Sequence, residues 1–247
     1  MAIADFTYNA YSEMLELIAK CGYTFARYHD YAEYCLPCIL RHDIDMDIQA
    51  DVRIAKLERD FSKELKSSFF VLLSSDFYNV FSKKTLVALS CILELGHEIG
   101  LHFDETKYDC MTLEALADAI LNEAHILNRA LGIEINAVSM HRPSKRILEA
   151  DMQINGLENC YSKEFMQGFK YVSDSRMSWR ENAEEIIASK KYSKLHILTH
   201  GFWYSQKSRA GAEIVKSYVN NAKTERYYQM RENVRDIDEF LKMDDVT

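Results

Sequence analysis

Cys38-Ile39-Leu40-Arg41-His42-Asp43-Ile44-Asp45 opens as an apolar run and closes on two carboxylates at i, i+2. If the run is a strand, alternate side chains share a face, so Asp43 and Asp45 point the same way. Two like charges crowded at a strand end repel each other and cost stability. Such an arrangement usually answers to a cation, a proton or a chemical task. The competing reading of these residues alone is a solvated acidic turn that caps the next helix.

Working outward, the strand at about 38–42 leads into a helix at about 47–65, with Ile48, Val52, Ala55 and Phe61 on its apolar side. On the other flank, Tyr11, Met14, Leu15, Leu17 and Ile18 recur at helical spacing over 9–20, and Gly22 stops the pattern. Ser68 to Leu73 is a continuous apolar run of the kind buried on both faces of a parallel sheet. Further on, the pattern predicts helices at about 83–95, 112–131, 144–154 and 180–190. Strands are expected at His97–Phe103, Ile135–Met140, near 159, Tyr171–Ser173 and Leu195–Thr199, with a long polar helical stretch at 210–242.

Strand and helix alternate about seven times without a linker, which predicts one parallel α/β domain over 1–247. No dinucleotide GxGxxG or phosphate-loop GxxxxGK is present, so the alternation carries no nucleotide-binding signature. A barrel fits better, because unusual polar residues fall where successive strands end, the place where barrel active sites are built.

Composition narrows the partners. The chain has 247 residues, 48% of them hydrophobic, with 8 Gly and 2 Pro, too few for long flexible linkers. A net charge of -8 without a basic stripe argues against a nucleic-acid partner. The start Met1-Ala2-Ile3-Ala4-Asp5-Phe6 does not read as a signal peptide, and no apolar run reaches the roughly eighteen residues of a transmembrane segment. The expectation is a cytoplasmic protein whose cysteines (Cys21, Cys35, Cys38, Cys91, Cys110 and Cys160) are reduced thiols. Cys35-Leu36-Pro37-Cys38 has redox-motif spacing but precedes a strand rather than opening a helix, so packing is its expected role.

Five strand ends carry chemistry in register: Asp43 and Asp45; Gly96-His97-Glu98-Ile99-Gly100-Leu101-His102-Phe103-Asp104; Ser139-Met140-His141-Arg142-Pro143; Ser173-Asp174 with Trp179 close behind; and Leu198-Thr199-His200-Gly201-Phe202-Trp203. In order and spacing, over about 38–204, these motifs resemble the polysaccharide deacetylases (the NodB-homology, carbohydrate esterase family four group), in a divergent branch associated with surface-polysaccharide biosynthesis. The resemblance implies a single-domain distorted (β/α)7 barrel, here with an added N-terminal helix and a long C-terminal helix. It implies a metal-dependent deacetylase acting on a carbohydrate, nucleotide- or lipid-linked given the expected compartment. Asp43 is similar to the general base, Asp45 to the metal-ligating carboxylate and His102 to the first metal histidine. Arg142 is similar to the arginine that orients the base, Asp174 and Trp179 to the acid and aromatic of the fourth motif, and His200 to the general acid.

One departure is plain: Thr106 stands where the resemblance places a second metal histidine. A catalytic zinc site normally has three protein ligands. Asp104 and His141 are the candidates for the third, and an oxygen-rich set with Asp104 would favour manganese or another hard ion over zinc. His97, on the opposite strand face from His102, reads as a structural histidine. Trp203 and Phe202, with Trp179, could contact a sugar or could be core. Two alternatives stay open: a deacetylase-like sugar-binding barrel without catalysis, and a different C–N hydrolase on the same barrel. The long C-terminal helix could be a homodimer face.

Overall fold

The computed structural model describes residues 3–108 and 111–246, so Cys110 and the first two residues of the N-terminal stretch lie outside the described residues. The decisive run forms β2 (Pro37–Ile44), buried along its whole length. Seven further strands accompany it among the described residues: β1 (Thr24–Ala26), β3 (Ser68–Leu72), β4 (Glu98–Phe103), β5 (Ala137–Met140), β6 (Glu158–Asn159), β7 (Lys170–Ser173) and β8 (Leu195–Thr199). Every pairing is parallel, in the order β6-β5-β4-β3-β2-β8-β7. β1 pairs with the first half of β2, at Pro37 to Ile39, while β3 takes the second half from Arg41 to Ile44.

The helices fall between strands, as a parallel sheet requires. They are α1 (Tyr8–Lys20), α2 (Ile48–Phe61), α3 (Lys83–Glu94), α4 (Leu113–Leu131), α5 (Lys145–Ala150), α6 (Lys163–Gln167) and α7 (Ala183–Ser189), with α8 (Gly211–Asn233) at the end. Thr7, Asp47, Ser82, Thr112, Ser144 and Asn182 cap six of them by accepting a first-turn amide. The result is an α/β fold, a distorted (β/α)7 barrel with an added N-terminal helix and a long C-terminal one. Boundaries differ from expectation where a local signal was weak. α2 stops at Phe61 because Ser62 turns extended, and α5 stops at Ala150 because Asp151 is left-handed. β1 and α6 carry no periodicity, being three and five residues long.

The chain forms two compact units, Met1–Gln206 and Lys207–Thr247. The first holds the barrel. In the second, Tyr227 of α8 donates to Asp238 and Arg231 pairs with Asp238 at 3.1 Å, fastening the helix to the turn that follows it. No helix among the described residues is long and apolar enough to cross a membrane.

Two apolar clusters lie on opposite faces of the strands. The larger joins Cys38, Leu40 and Ile44 of β2 to the helices, through residues such as Leu15, Ile54 and Leu89. The smaller fills the barrel with Ile39, Phe70, Ala137, Cys160, Phe165 and Phe169. Gly100 belongs to this inner face. A Cβ there would stand 2.4 Å from the Phe70 ring and 3.1 Å from the Ala137 carbonyl oxygen, so the Phe70 ring needs that glycine.

The outer face of β2 carries a buried polar network. Glu58 of α2 has no exposed surface and accepts from Tyr11, from His42 Nε2 at 3.0 Å and from Ser67 Oγ at 2.5 Å. His42 Nδ1 in turn meets Thr199 Oγ1 at 2.7 Å, and His97 Nε2 donates to the Ala55 carbonyl at 3.0 Å. His97 is thus a structural histidine on the helix side. Burial pushes Glu58 up, but the His42 contacts outweigh it and hold the carboxyl below its usual range.

Candidate active site

Alternation along β2 puts Arg41 and Asp43 on the inner face, and Asp45 follows just past the strand end. Arg41 Nε and Nη2 donate to Asp43 Oδ1 and Oδ2 at 2.9 and 2.7 Å, a bidentate pair shut away from solvent. The guanidinium also donates to Ser139, reaches the Tyr161 hydroxyl at 3.3 Å, and lies over the Tyr161 and Phe70 rings. Burial favours the neutral form of Asp43, yet Arg41, with His102 and His200 nearby, holds its carboxyl below the usual range.

This corrects the expectation for Arg142. That side chain is exposed, with no hydrogen bond or ion pair to Asp43, and its partner role is taken by Arg41. The signal was in the sequence, since Arg41 shares a strand face with Asp43 by the same i, i+2 rule that links the two aspartates. Arg142 has its own peculiarity, a left-handed φ of 52°. It precedes Pro143, and pre-proline residues are pushed toward extended backbone, so this conformation costs about 1–3 kcal/mol.

Three donor atoms converge beside the pair. Asp45 Oδ1 stands 3.3 Å from His102 Nε2 and 3.4 Å from His141 Nδ1, and the two imidazole nitrogens are 3.2 Å apart. Ligand atoms about 2.0–2.1 Å from a shared ion are about 3.3–3.4 Å apart in a tetrahedron, so these spacings fit a metal without rearrangement. His102 Nδ1 faces the Ser139 carbonyl at 3.2 Å, which fixes the proton on Nδ1 and leaves the Nε2 lone pair free to ligate. Asp45 Oδ1 is buried and accepts no well-formed hydrogen bond among the described residues. A buried, unsatisfied carboxylate oxygen facing two imidazole nitrogens is a candidate donor set for a divalent cation. Of the two candidate third ligands, His141 is in the cluster. Asp104 turns instead to Thr106, whose amide and hydroxyl donate to its Oδ1 at 3.0 and 2.8 Å.

His200 enters from the end of β8. Its Nδ1 donates to Asp174 Oδ1 at 2.6 Å and its backbone amide to Asp174 Oδ2 at 3.1 Å, leaving Nε2 3.9 Å from Asp45 Oδ2. Burial disfavours the imidazolium, but the Asp174 carboxylate and its hydrogen bond raise His200 to about 9. The turn after it is close-packed. Gly201 N donates to Asp51 at 3.2 Å, and a Cβ on Gly201 would come within 3.0 Å of the Asp51 backbone. Charges then balance in pairs, Arg41 with Asp43 and His200 with Asp174. Asp45 is left without a fixed cation of its own.

The three aromatic candidates are near the same strand ends. Trp179 stacks on Phe6 at 6.3 Å with its Nε1 buried and unpartnered among the described residues, and Phe202 packs edge-on against Trp203 at 4.9 Å. The cysteines Cys21, Cys35, Cys38, Cys91 and Cys160 are free thiols.

No family model and no curated protein matches the sequence. Solved structures do. The chain is similar to BA3943, a CE4 family pseudoenzyme from Bacillus anthracis, at 12% identity and a TM-score of 0.42 over 73% of this chain and 59% of that one. It is similar to the deacetylase PplD of Streptococcus pyogenes in complex with acetate, at 12% identity and 0.43, over 78% and 80% of the two chains. Peptidoglycan deacetylase PdaC of Bacillus subtilis aligns at 15% identity and 0.40, over 79% and 92%. This chain spans about 59% of the length of the BA3943 pseudoenzyme.

Proposed function

We propose that the barrel is a metal-dependent carbohydrate deacetylase, a hydrolase that removes an N-acetyl or similar acyl group from a sugar or sugar conjugate in polysaccharide biosynthesis. One observation carries the reading. Three donor atoms at metal-ligand spacing lie between a carboxylate fixed by an arginine and an imidazole fixed by a carboxylate. Asp45, His102 and His141 would hold the cation. Two imidazoles and one carboxylate suit zinc, and manganese is the harder alternative. Bound there, the ion supplies Lewis acidity toward an acyl carbonyl and toward water.

The side chains supply the rest. Asp43 Oδ2 lies 3.7 Å from His102 Nε2, so the ionised carboxylate faces the ligand cluster and takes the proton of the attacking water. Arg41 keeps that carboxylate charged and aimed. Once the water oxygen has bonded to the acyl carbon, His200, protonated at neutral pH and oriented by Asp174, gives its proton to the departing amine as the C–N bond breaks. Trp179, Trp203 and Phe202 would contact the sugar or the acyl group through their apolar faces. A substrate linked to a nucleotide or lipid, in the cytoplasm, fits the sequence expectations.

Protein purified without chelator should carry about one equivalent of divalent metal and release acetate from N-acetylated chito-oligosaccharides. Asp45→Asn should lose the metal, whereas Asp43→Asn should keep it and lose turnover. Less than about a tenth of an equivalent, with no acetate released after adding zinc, manganese or cobalt, rules the reading out.

A further inference from the structure

Arg142 is released from the Asp43 pairing by Arg41, and it follows directly on His141 in the chain. It lines a pocket of about 210 Å³ with Arg146, Ser144, Glu105, Thr106 and Tyr108, at the ends of β4 and β5 that carry His102 and His141. Two guanidiniums in one small pocket run against a chain whose net charge is -8. Two of the acidic groups nearby are held by hydrogen bonds, and a third, Glu114, whose carboxyl is lowered first by its own backbone amide, also feels the charge of Arg146. Glu105 accepts from both the amide and the hydroxyl of Ser144, and Asp104 is held by Thr106. Arg146 Nη2 donates to the Met111 carbonyl at 2.6 Å, which anchors that side chain at the pocket wall and leaves other N–H groups to offer. The left-handed backbone at Arg142, unfavourable before a proline, is the kind of strain that accumulates where a side chain must be aimed.

We propose that this pocket binds an anionic oxygen group, a phosphate or a carboxylate, carried by the sugar substrate beyond the acyl group to be removed. Arg142 and Arg146 are its donors, since a guanidinium fork matches both oxyanions. The assignment of the ligand to the substrate rests on the deacetylase reading. It makes Arg142 a specificity residue, selecting charged sugar conjugates over neutral sugars.

The test is calorimetric titration of the full chain with UDP-N-acetylglucosamine, N-acetylmuramic acid and N-acetylglucosamine, each for wild type, Arg142→Gln and Arg146→Gln. A charged ligand should bind about tenfold or more tighter than the neutral sugar, and either substitution should shrink that ratio by about tenfold. Preference for the nucleotide sugar identifies phosphate as the group, and preference for the muramic acid identifies carboxylate. A ratio near one, or one that neither substitution changes, overturns the anion site, while acetate release from neutral chito-oligosaccharides would leave the deacetylase reading standing. Conversely, arginine-dependent binding with no acyl group released from any ligand under zinc, manganese or cobalt keeps the anion site and ends the deacetylase reading.

Discussion

Asp43 owes its charge to Arg41, and that dependence has a measurable sign. Burial alone would raise the carboxyl, so removing the guanidinium should move the acid limb of kcat/KM to higher pH by about 1–3 units. Arg41→Gln should also destabilise the fold by about 3–5 kcal/mol, because a buried carboxylate loses its partner. An unmoved acid limb in that variant would refute the positioning role. His200 behaves in the opposite sense. Its folded value, about 9, lies above the free value of 6.5, so in metal-free protein its contribution to stability is complete below pH 6.5 and fades as pH rises through 9. Asp174→Asn should remove that dependence and bring the alkaline limb of turnover down by about 1–2 units. Titrating stability and rate between pH 6 and 10 checks both. For the third ligand, His141→Ala should weaken metal affinity by about tenfold or more, while Asp104→Ala should not.

At the scale of elements, strand ends were easier to read than strand partners. Apolar runs located β2, β3, β4, β5 and β8 to within a few residues, because a parallel sheet buries both faces of each strand. What the sequence left open was which neighbour each inward side chain would meet. Arg41 matches the parity of Asp43 while the resemblance points to Arg142, and only the register, with Ser139 opposite His102, brings His141 beside it two residues later. The Glu58 network has no local signature, because its members come from α1, α2, β2 and β8, with Ser67 just before β3, at separations that no local pattern reveals. Packing supplies a direct test here. Gly100→Ala should cost about 1–3 kcal/mol by driving a methyl into the Phe70 ring, and Phe70→Leu should recover part of the loss. Additive costs in the double variant, measured by denaturant unfolding, would mean that the two residues do not share that space.

At the scale of the whole molecule, the proposed metal site would link occupancy to folding. An ion that binds the folded chain at about a hundred times its Kd stabilises by about 2.7 kcal/mol, which for a chain of this size raises Tm by about 5–10 °C. Zinc should produce such a shift in the wild type and none in Asp45→Asn. Identical melting curves with zinc and with chelator in the wild type would show that the three donor atoms hold no ion.

The convergence of Asp45, His102 and His141 on one point has a bearing on how such sites can be found. His102 lies on β4, while Asp45 and His141 follow the ends of β2 and β5, and β4 and β5 are adjacent. If the proposed site holds an ion, a ligand supplied after one strand end can be replaced by one supplied after its neighbour while the point it serves stays where it is. A signature that demands the second histidine four residues after His102 reads Thr106 as a broken site. Searching for three donors at a common distance, whatever their order along the chain, would pick out Asp45, His102 and His141.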